Sequence, residues 1–127
     1  MAMSQDPNPF FNSIANERQP SRAFLREVKL MLNQEPMMRQ ALYLEALRAF
    51  FRADFDLAHH LLRTLIHGTI GFEQLSKEID IPSKSLLRMF SARGNPTSKN
   101  LFKILQAIRV HQHMTLNIEI KIPQSKI

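Results

Sequence analysis

The chain has 127 residues, of which 44% are hydrophobic, and this length suits one compact domain with its own core. It contains no cysteine, which excludes disulfide bonds, thiolate metal sites and a cysteine nucleophile, and which suits a reducing cytosol. No apolar run approaches the roughly 20 residues of a membrane helix, and the N-terminus lacks the pattern of a signal peptide. We therefore expect a cytoplasmic protein without a membrane anchor.

Residues 1–20 are predicted to form a flexible tail. They contain three prolines among serine, asparagine and glutamine residues, a composition typical of irregular chain. Phe10 and Phe11 are the residues that would anchor part of this tail on the domain.

Residues 21–53 predict two helices that extend the domain at its N-terminal side. Ser21 is a candidate N-cap, and apolar residues recur after it at helical spacing until Asn33 and Pro36 interrupt the pattern. Pro36 suits the first turn of the second helix, which is predicted to end near Ala53. The buried stripe of this second helix is predicted to be Leu42, Ala46, Ala49 and Phe50.

Residues 54–113 predict a domain of four further helices. Asp54 or Asp56 can cap the first, which Gly68 would end. Its apolar face is predicted to be Leu57, Leu61, Leu62, Leu65 and Ile66. A second helix follows Gly71, with Phe72, Leu75 and Ile79 inward.

The third and fourth helices of this domain complete the layout of a helix-turn-helix with a supporting helix. Asp80-Ile81-Pro82 forms the turn and Ser83 is predicted to cap the third helix. In that helix a wheel of about 100° per residue places Leu86, Leu87 and Phe90 inward, and Lys84, Ser85, Arg88 and Ser91 outward. Thr97 or Ser98 would cap the fourth, with Leu101, Ile104, Leu105 and Ile108 inward and Lys99 and Lys103 outward.

All the net charge of +6 lies in this last part of the domain. Between Ile81 and Asn117 there is no acidic residue, but there are six basic ones: Lys84, Arg88, Arg93, Lys99, Lys103 and Arg109. Without these six, the chain has 11 basic against 11 acidic residues. A field of one sign on one segment is typical of a protein that binds a polyanion, and double-stranded DNA is the first candidate.

Residues 114–127 predict a short C-terminal β-strand. Leu116, Ile118, Ile120 and Ile122 alternate with polar residues, which is a period of two. A lone strand needs a partner, so we expect pairing with the same strand of a second copy or with the edge of another protein. The alternative is a disordered tail.

Two stretches carry a resemblance to a known family. YLEALRAFFRADFDLAHHLLRTLIHG (43–68), followed by QLSKEIDIPSKSLLRMFSARGNPTSKNLFKILQAI (74–108), resembles the addiction-module antidotes, the HigA-like antitoxins of toxin-antitoxin operons. The resemblance implies an all-α fold similar to phage repressors and a homodimer on a palindromic operator. It also implies repression of an operon that encodes a toxin, with Gln74 positioning the DNA backbone and Lys84, Ser85 and Arg88 entering the major groove.

The residues themselves support roles for the same helices. Arg88 can donate twice to guanine O6 and N7, a contact worth about 1–3 kcal/mol of discrimination. Lys84 and Ser85 lie in the first turn, which points at the duplex in such motifs. Thr97 and Lys99 begin the supporting helix, where they can hold a phosphate or serve only as a cap.

Other classes of function are weighed by the same residues. An enzyme, a cofactor and a metal site are not expected, since no catalytic motif is present and His111-x-His113 has no nearby Cys or carboxylate. One alternative is an interaction protein that mainly neutralises a toxin; others are a stand-alone regulator and a non-specific nucleic-acid binder. Phe50, Phe51 and Phe55 cluster closely enough to pack on a partner. The dimer interface, through the N-terminal helices or the C-terminal strand, stays open.

Overall fold

The computed structural model describes residues 9–17 and 19–124, with side chains from residue 12 onward. The helices of this part are α1 (Pro9–Asn16), α2 (Arg22–Gln34), α3 (Pro36–Phe51), α4 (Phe55–Gly68), α5 (Phe72–Ile79), α6 (Ser83–Met89) and α7 (Ser98–His111). No strand occurs in the described ranges, so the predicted all-α class is confirmed there. None of the helices within those ranges has the length and apolar character needed to cross a bilayer.

Side-chain caps determine where three of the helices begin. Ser21 accepts a hydrogen bond from the backbone N–H of the third residue after it at 3.0 Å, and Thr97 does the same at 3.2 Å. Asp54 makes the equivalent bond at 3.4 Å. Each cap satisfies a backbone N–H that the helix itself cannot pair, so these predicted starts are confirmed.

Helix α4 lies at the centre of the core. It packs against α1, α2 and α3. Four residues of its predicted apolar face are at most 1% exposed: Leu61, Leu62, Leu65 and Ile66. A side chain at Gly68 would overlap Leu32 Cδ1, so glycine allows the close approach of α2 to α4.

The prediction of an irregular tail over residues 1–20 is wrong for Pro9–Asn16, which form α1. Proline is compatible with the first turn of a helix, and Ile14 is fully buried against the domain. The Nε2 atom of His60 lies 2.6 Å from the Ile14 carbonyl oxygen and links α1 to α4. The predicted anchoring by Phe10 and Phe11 lies outside the described part of the structure, because their side chains are not among those described. Residues 1–8 and 18 also lie outside it.

The predicted C-terminal strand is not seen, and that prediction is wrong for the single chain. The described part of this segment, residues 114–124, has no regular secondary structure. The physical reason is that a strand is stabilised by backbone hydrogen bonds to a neighbouring strand, and α helices do not supply such bonds.

Candidate nucleic-acid interface

Helices α5 and α6 pack against each other across the turn that the sequence predicts. Asp80 ends α5 in the left-handed conformation, with φ 57°, which aspartate tolerates better than most residues. The N–H of Ile81 then donates to the Ser76 carbonyl at 3.3 Å. Leu75 and Leu86, one from each helix, are fully buried, so the core fixes α6 relative to α5.

The C-terminal end of α6 is fixed by Phe90. This residue is 1% exposed, and its ring meets the ring of His59 edge-on at 5.6 Å between centroids. The ring of Phe72 from α5 lies 6.4 Å away on a tilted plane. Arg63 of α4 donates a hydrogen bond from its guanidinium to the Phe90 carbonyl oxygen. The position of the C-terminal end of α6 therefore depends on both ring packing and a charged hydrogen bond.

The outer face of α6 carries Lys84, Leu87 and Arg88, all exposed, with Ser85 partly buried beside them. The prediction that Leu87 faces inward is wrong: it is 43% exposed. The reason lies in the length of the helix. Leu86 and Phe90 are one turn apart and form the buried stripe. Leu87 is rotated by about 100° from Leu86 around the axis of this seven-residue helix, so its side chain stays in solvent.

Ser83 has a different role from the predicted cap. It is the first residue of α6, and Pro82 takes the N-cap position without a side-chain bond. The Ser83 hydroxyl donates instead to Glu73 Oε2 at 3.4 Å, which joins the first turns of α5 and α6.

Gln74 is exposed on α5, as its predicted contact with the DNA backbone requires. Its side-chain amide donates to Glu78 Oε2 at 2.9 Å, one turn along the same helix. An amide nitrogen carries two hydrogens, so one remains for a phosphate. The Glu78 carboxylate nearby opposes a phosphate by charge, so Gln74 is the weakest of the predicted contacts.

Thr97 and Lys99 stand at the beginning of α7, both exposed. The Thr97 hydroxyl accepts the capping bond from the Asn100 N–H, and its own hydrogen is still available to a phosphate oxygen. The two predicted roles, cap and phosphate contact, are therefore compatible at this position.

Five of the six basic residues that supply the net charge are exposed; they are Lys84, Arg88, Arg93, Lys99 and Lys103. Arg109 is partly buried, and its guanidinium lies 3.4 Å from the Tyr43 hydroxyl. Within the described ranges the ion pairs are Arg48–Glu45 and Lys121–Glu119, so none of the six is neutralised by one. The positive field of this segment is therefore available to an external anion.

The histidines of α4 belong to the core and its edge. Burial lowers the pKa of His59; the Asp56 carboxylate opposes this effect and Arg63 adds to it. Burial, with Arg63, also lowers the pKa of His67, whose ring contacts the Phe72 ring at 4.9 Å. Across the part of the chain that the structure describes, no three potential metal-binding side chains come together.

Two features of the site carry only a weak signal in the sequence. Gly94 lies so close to the end of α6 that a β-carbon there would overlap the carbonyl oxygens of Arg88 and Met89. Arg63, on α4, lies 27 residues from the carbonyl to which it donates. The glycine could have been found from its place after a short helix, whereas no local pattern indicates the role of Arg63.

Comparisons of the chain with protein-family models, with curated proteins and with solved structures found no match.

Proposed function

We propose that the protein is a sequence-specific repressor that binds double-stranded DNA by inserting α6 into the major groove. The observation that carries the proposal is the division of α6 into two faces. Leu86 and Phe90 hold the inner face in the core, and the outer face presents Lys84, Leu87 and Arg88 to solvent. A short helix held in this way, with cations and one apolar side chain outward, is what base readout requires.

Each outward side chain has a distinct role in this proposal. Arg88 donates to guanine, and Leu87 makes apolar contact with a thymine methyl group. Lys84 and Ser85 lie in the first turn, where the helix dipole adds to the attraction of phosphate. Thr97 and Lys99 contact the DNA backbone from the start of α7, and Gln74 does so from α5.

The proposed repressor acts as a homodimer on a palindromic operator, with half-sites about 34–36 Å apart, one turn of DNA. The resemblance to the addiction-module antidotes extends the proposal to an antitoxin that represses its own operon. A neighbouring gene that encodes a toxin, together with binding of that toxin by the purified protein, would support this extension. If there is no such gene, the proposal reduces to a stand-alone regulator.

Fluorescence anisotropy tests the proposed function directly. The protein is titrated onto the DNA upstream of its own gene and onto a scrambled duplex of equal length, at about 150 mM salt, where non-specific Kd values are about 10⁻⁴–10⁻⁶ M. We expect binding at least about 1,000-fold tighter to the upstream fragment. Equal affinity for the two duplexes would contradict specific readout. Weak binding to both would favour a protein that mainly neutralises a toxin.

A further inference from the structure

An apolar groove of about 500 Å³ lies on the surface formed by α3, the start of α4, α7 and the segment after α7. Phe51, Phe55 and Phe102 line it and are 85%, 54% and 67% exposed. Leu116 and Ile118 of the C-terminal segment form one of its walls. None of these side chains belongs to the outer face of α6, so the DNA-binding proposal does not explain them.

The size of this surface matches that of a protein interface. A phenylalanine buries about 200 Å² when it is covered, so the three rings leave about 400 Å² in water at these exposures. A standard interface buries about 800 Å² on each partner. Leu44, Leu116 and Ile118, each at least 40% exposed, supply most of the rest. The patch is therefore larger than the largest apolar patch of most monomers.

The segment beside the groove has unused backbone hydrogen bonds. His113, two residues after the end of α7, has a φ of 58°, and the Met114 N–H donates to the Arg109 carbonyl at 2.9 Å. From residue 115 to 124 no backbone-to-backbone hydrogen bond is formed within the described chain. Ile118, Ile120 and Ile122 are 73%, 86% and 87% exposed. A segment without regular secondary structure, with free backbone groups and alternating isoleucines, is suited to pair with another strand.

The order of charges in the segment selects one pairing of two identical copies. An antiparallel pair centred on Ile120 places Ile118 opposite the partner's Ile122, and Glu119 opposite the partner's Lys121. Both ion pairs form at once, because the arrangement is symmetric. A parallel pair in register places Glu119 opposite the partner's Glu119. An antiparallel pair centred on Glu119 does the same, and such like-charge pairs are destabilising.

We infer that a second copy of this chain covers the groove, with residues 118–122 of the two copies paired as antiparallel strands about a two-fold axis at Ile120. In this arrangement the partner's Ile122 lies beside Ile118, at the wall of the groove, and the same contact is repeated across the axis. The weak ion pair of Glu119 with Lys121 within one chain, at 3.9 Å, is replaced by two pairs between chains. The inference does not depend on DNA binding.

Disulfide trapping tests the register, because the chain has no cysteine of its own. Antiparallel partners have Cα atoms about 4.5–5.5 Å apart, within the range of a disulfide. Purified Ile120→Cys should therefore cross-link to itself on mild oxidation. Glu119→Cys alone and Lys121→Cys alone should not, whereas a mixture of these two should give the heterodimer, identified by its mass. Leu30→Cys, exposed on α2, is the control for random collision.

Sedimentation of the wild-type protein completes the test without DNA. We expect a species of twice the 14.8 kDa of one chain, and conversion to one chain in Ile118→Lys/Ile120→Lys. Self-linking of Glu119→Cys would overturn the antiparallel register centred on Ile120. A monomeric wild type, or a dimer unaffected by the double substitution, would overturn the inference even if the DNA preference is found. A dimer without DNA preference would keep the inference and overturn the proposed function.

Discussion

Arg63 donates its guanidinium hydrogen to the carbonyl oxygen of Phe90, and so a residue of the central helix α4 holds the C-terminal end of α6. The cation also meets the negative end of the helix dipole there. This contact connects the stability of the core to the position of the helix that we propose to read DNA.

Arg63→Met tests that connection. The substitution keeps much of the aliphatic volume but removes the donor, and a hydrogen bond from a charged group contributes about 1.5–3 kcal/mol. We expect urea unfolding to report a loss of this order, with a further fall in operator affinity although Arg63 is not on the outer face. Arg26→Met, on the exposed surface of α2, is the matched control. Equal stability of the two variants would show that the contact does not hold α6.

Gly94→Ala tests the close approach of the loop to the end of α6. The added β-carbon would overlap the carbonyl oxygens of Arg88 and Met89, so the backbone must move. We expect a loss of about 2 kcal/mol or more in the free energy of unfolding, as for overpacked sites. Asn95→Ala, at the exposed neighbouring position, should change it by no more than about 0.5 kcal/mol. Similar values for the two alanine variants would contradict the steric argument.

The stability of the protein should decrease as the pH falls below neutrality, and His59 should contribute to this. Its pKa in the folded state lies below the ordinary value of 6.5, mainly because of burial. The unfolded chain therefore takes up the proton first, and the free energy of unfolding falls as the pH drops through about 6.5. We expect His59→Phe, which keeps ring contacts to Phe50 and Phe90, to reduce the fall in thermal midpoint between about pH 7.5 and 5.5. An unchanged pH profile in the variant would argue against burial of a titrating His59.

Arg88→Ala and Lys103→Ala should affect DNA binding differently: the first should lower sequence preference, the second only overall affinity. Loss of Arg88 removes a base contact, so we expect preference for the operator over scrambled DNA to fall by about 1–3 kcal/mol, or roughly 5-fold to 150-fold. Lys103, on α7, should act through its charge alone, so its loss should weaken binding to both duplexes equally and lower the salt slope by about 1. Anisotropy on both duplexes at several salt concentrations separates the two effects. If both variants lose preference to the same degree, Arg88 has no reading role.

The local parts of the fold could be predicted from the sequence because short-range physics determines them. The caps at Ser21, Asp54 and Thr97 and the apolar face of α4 follow from residue type and spacing, and the structure confirms them. The two-faced character of α6 follows in the same way, except at Leu87. The helical wheel predicts that Leu87 faces inward, but it stays exposed because a short helix makes only a narrow contact with the core.

The parts that could not be predicted depend on tertiary contacts or on another molecule. The sequence does not indicate helix α1, because its proline-rich surroundings are typical of irregular chain and the burial of Ile14 depends on a surface that the rest of the fold supplies. The sequence predicts Ser83 as the cap of α6, but its hydroxyl donates a hydrogen bond to Glu73 of the preceding helix. The C-terminal strand is predicted to pair with a second copy or another protein, and the single chain lacks it because its pattern describes a surface that only a second strand completes.

Selection from a pool of random duplexes tests whether α6 reads the sequence of DNA. Duplexes retained by the wild-type protein at about 150 mM salt are sequenced, and the selection is repeated with Leu87→Ala/Arg88→Ala, whose exposed positions leave the core intact. Base reading by α6 predicts a palindromic motif with half-sites about 34–36 Å apart, and loss of guanine and thymine preference at defined positions with the variant. No enriched motif, or the same motif with both proteins, would contradict it.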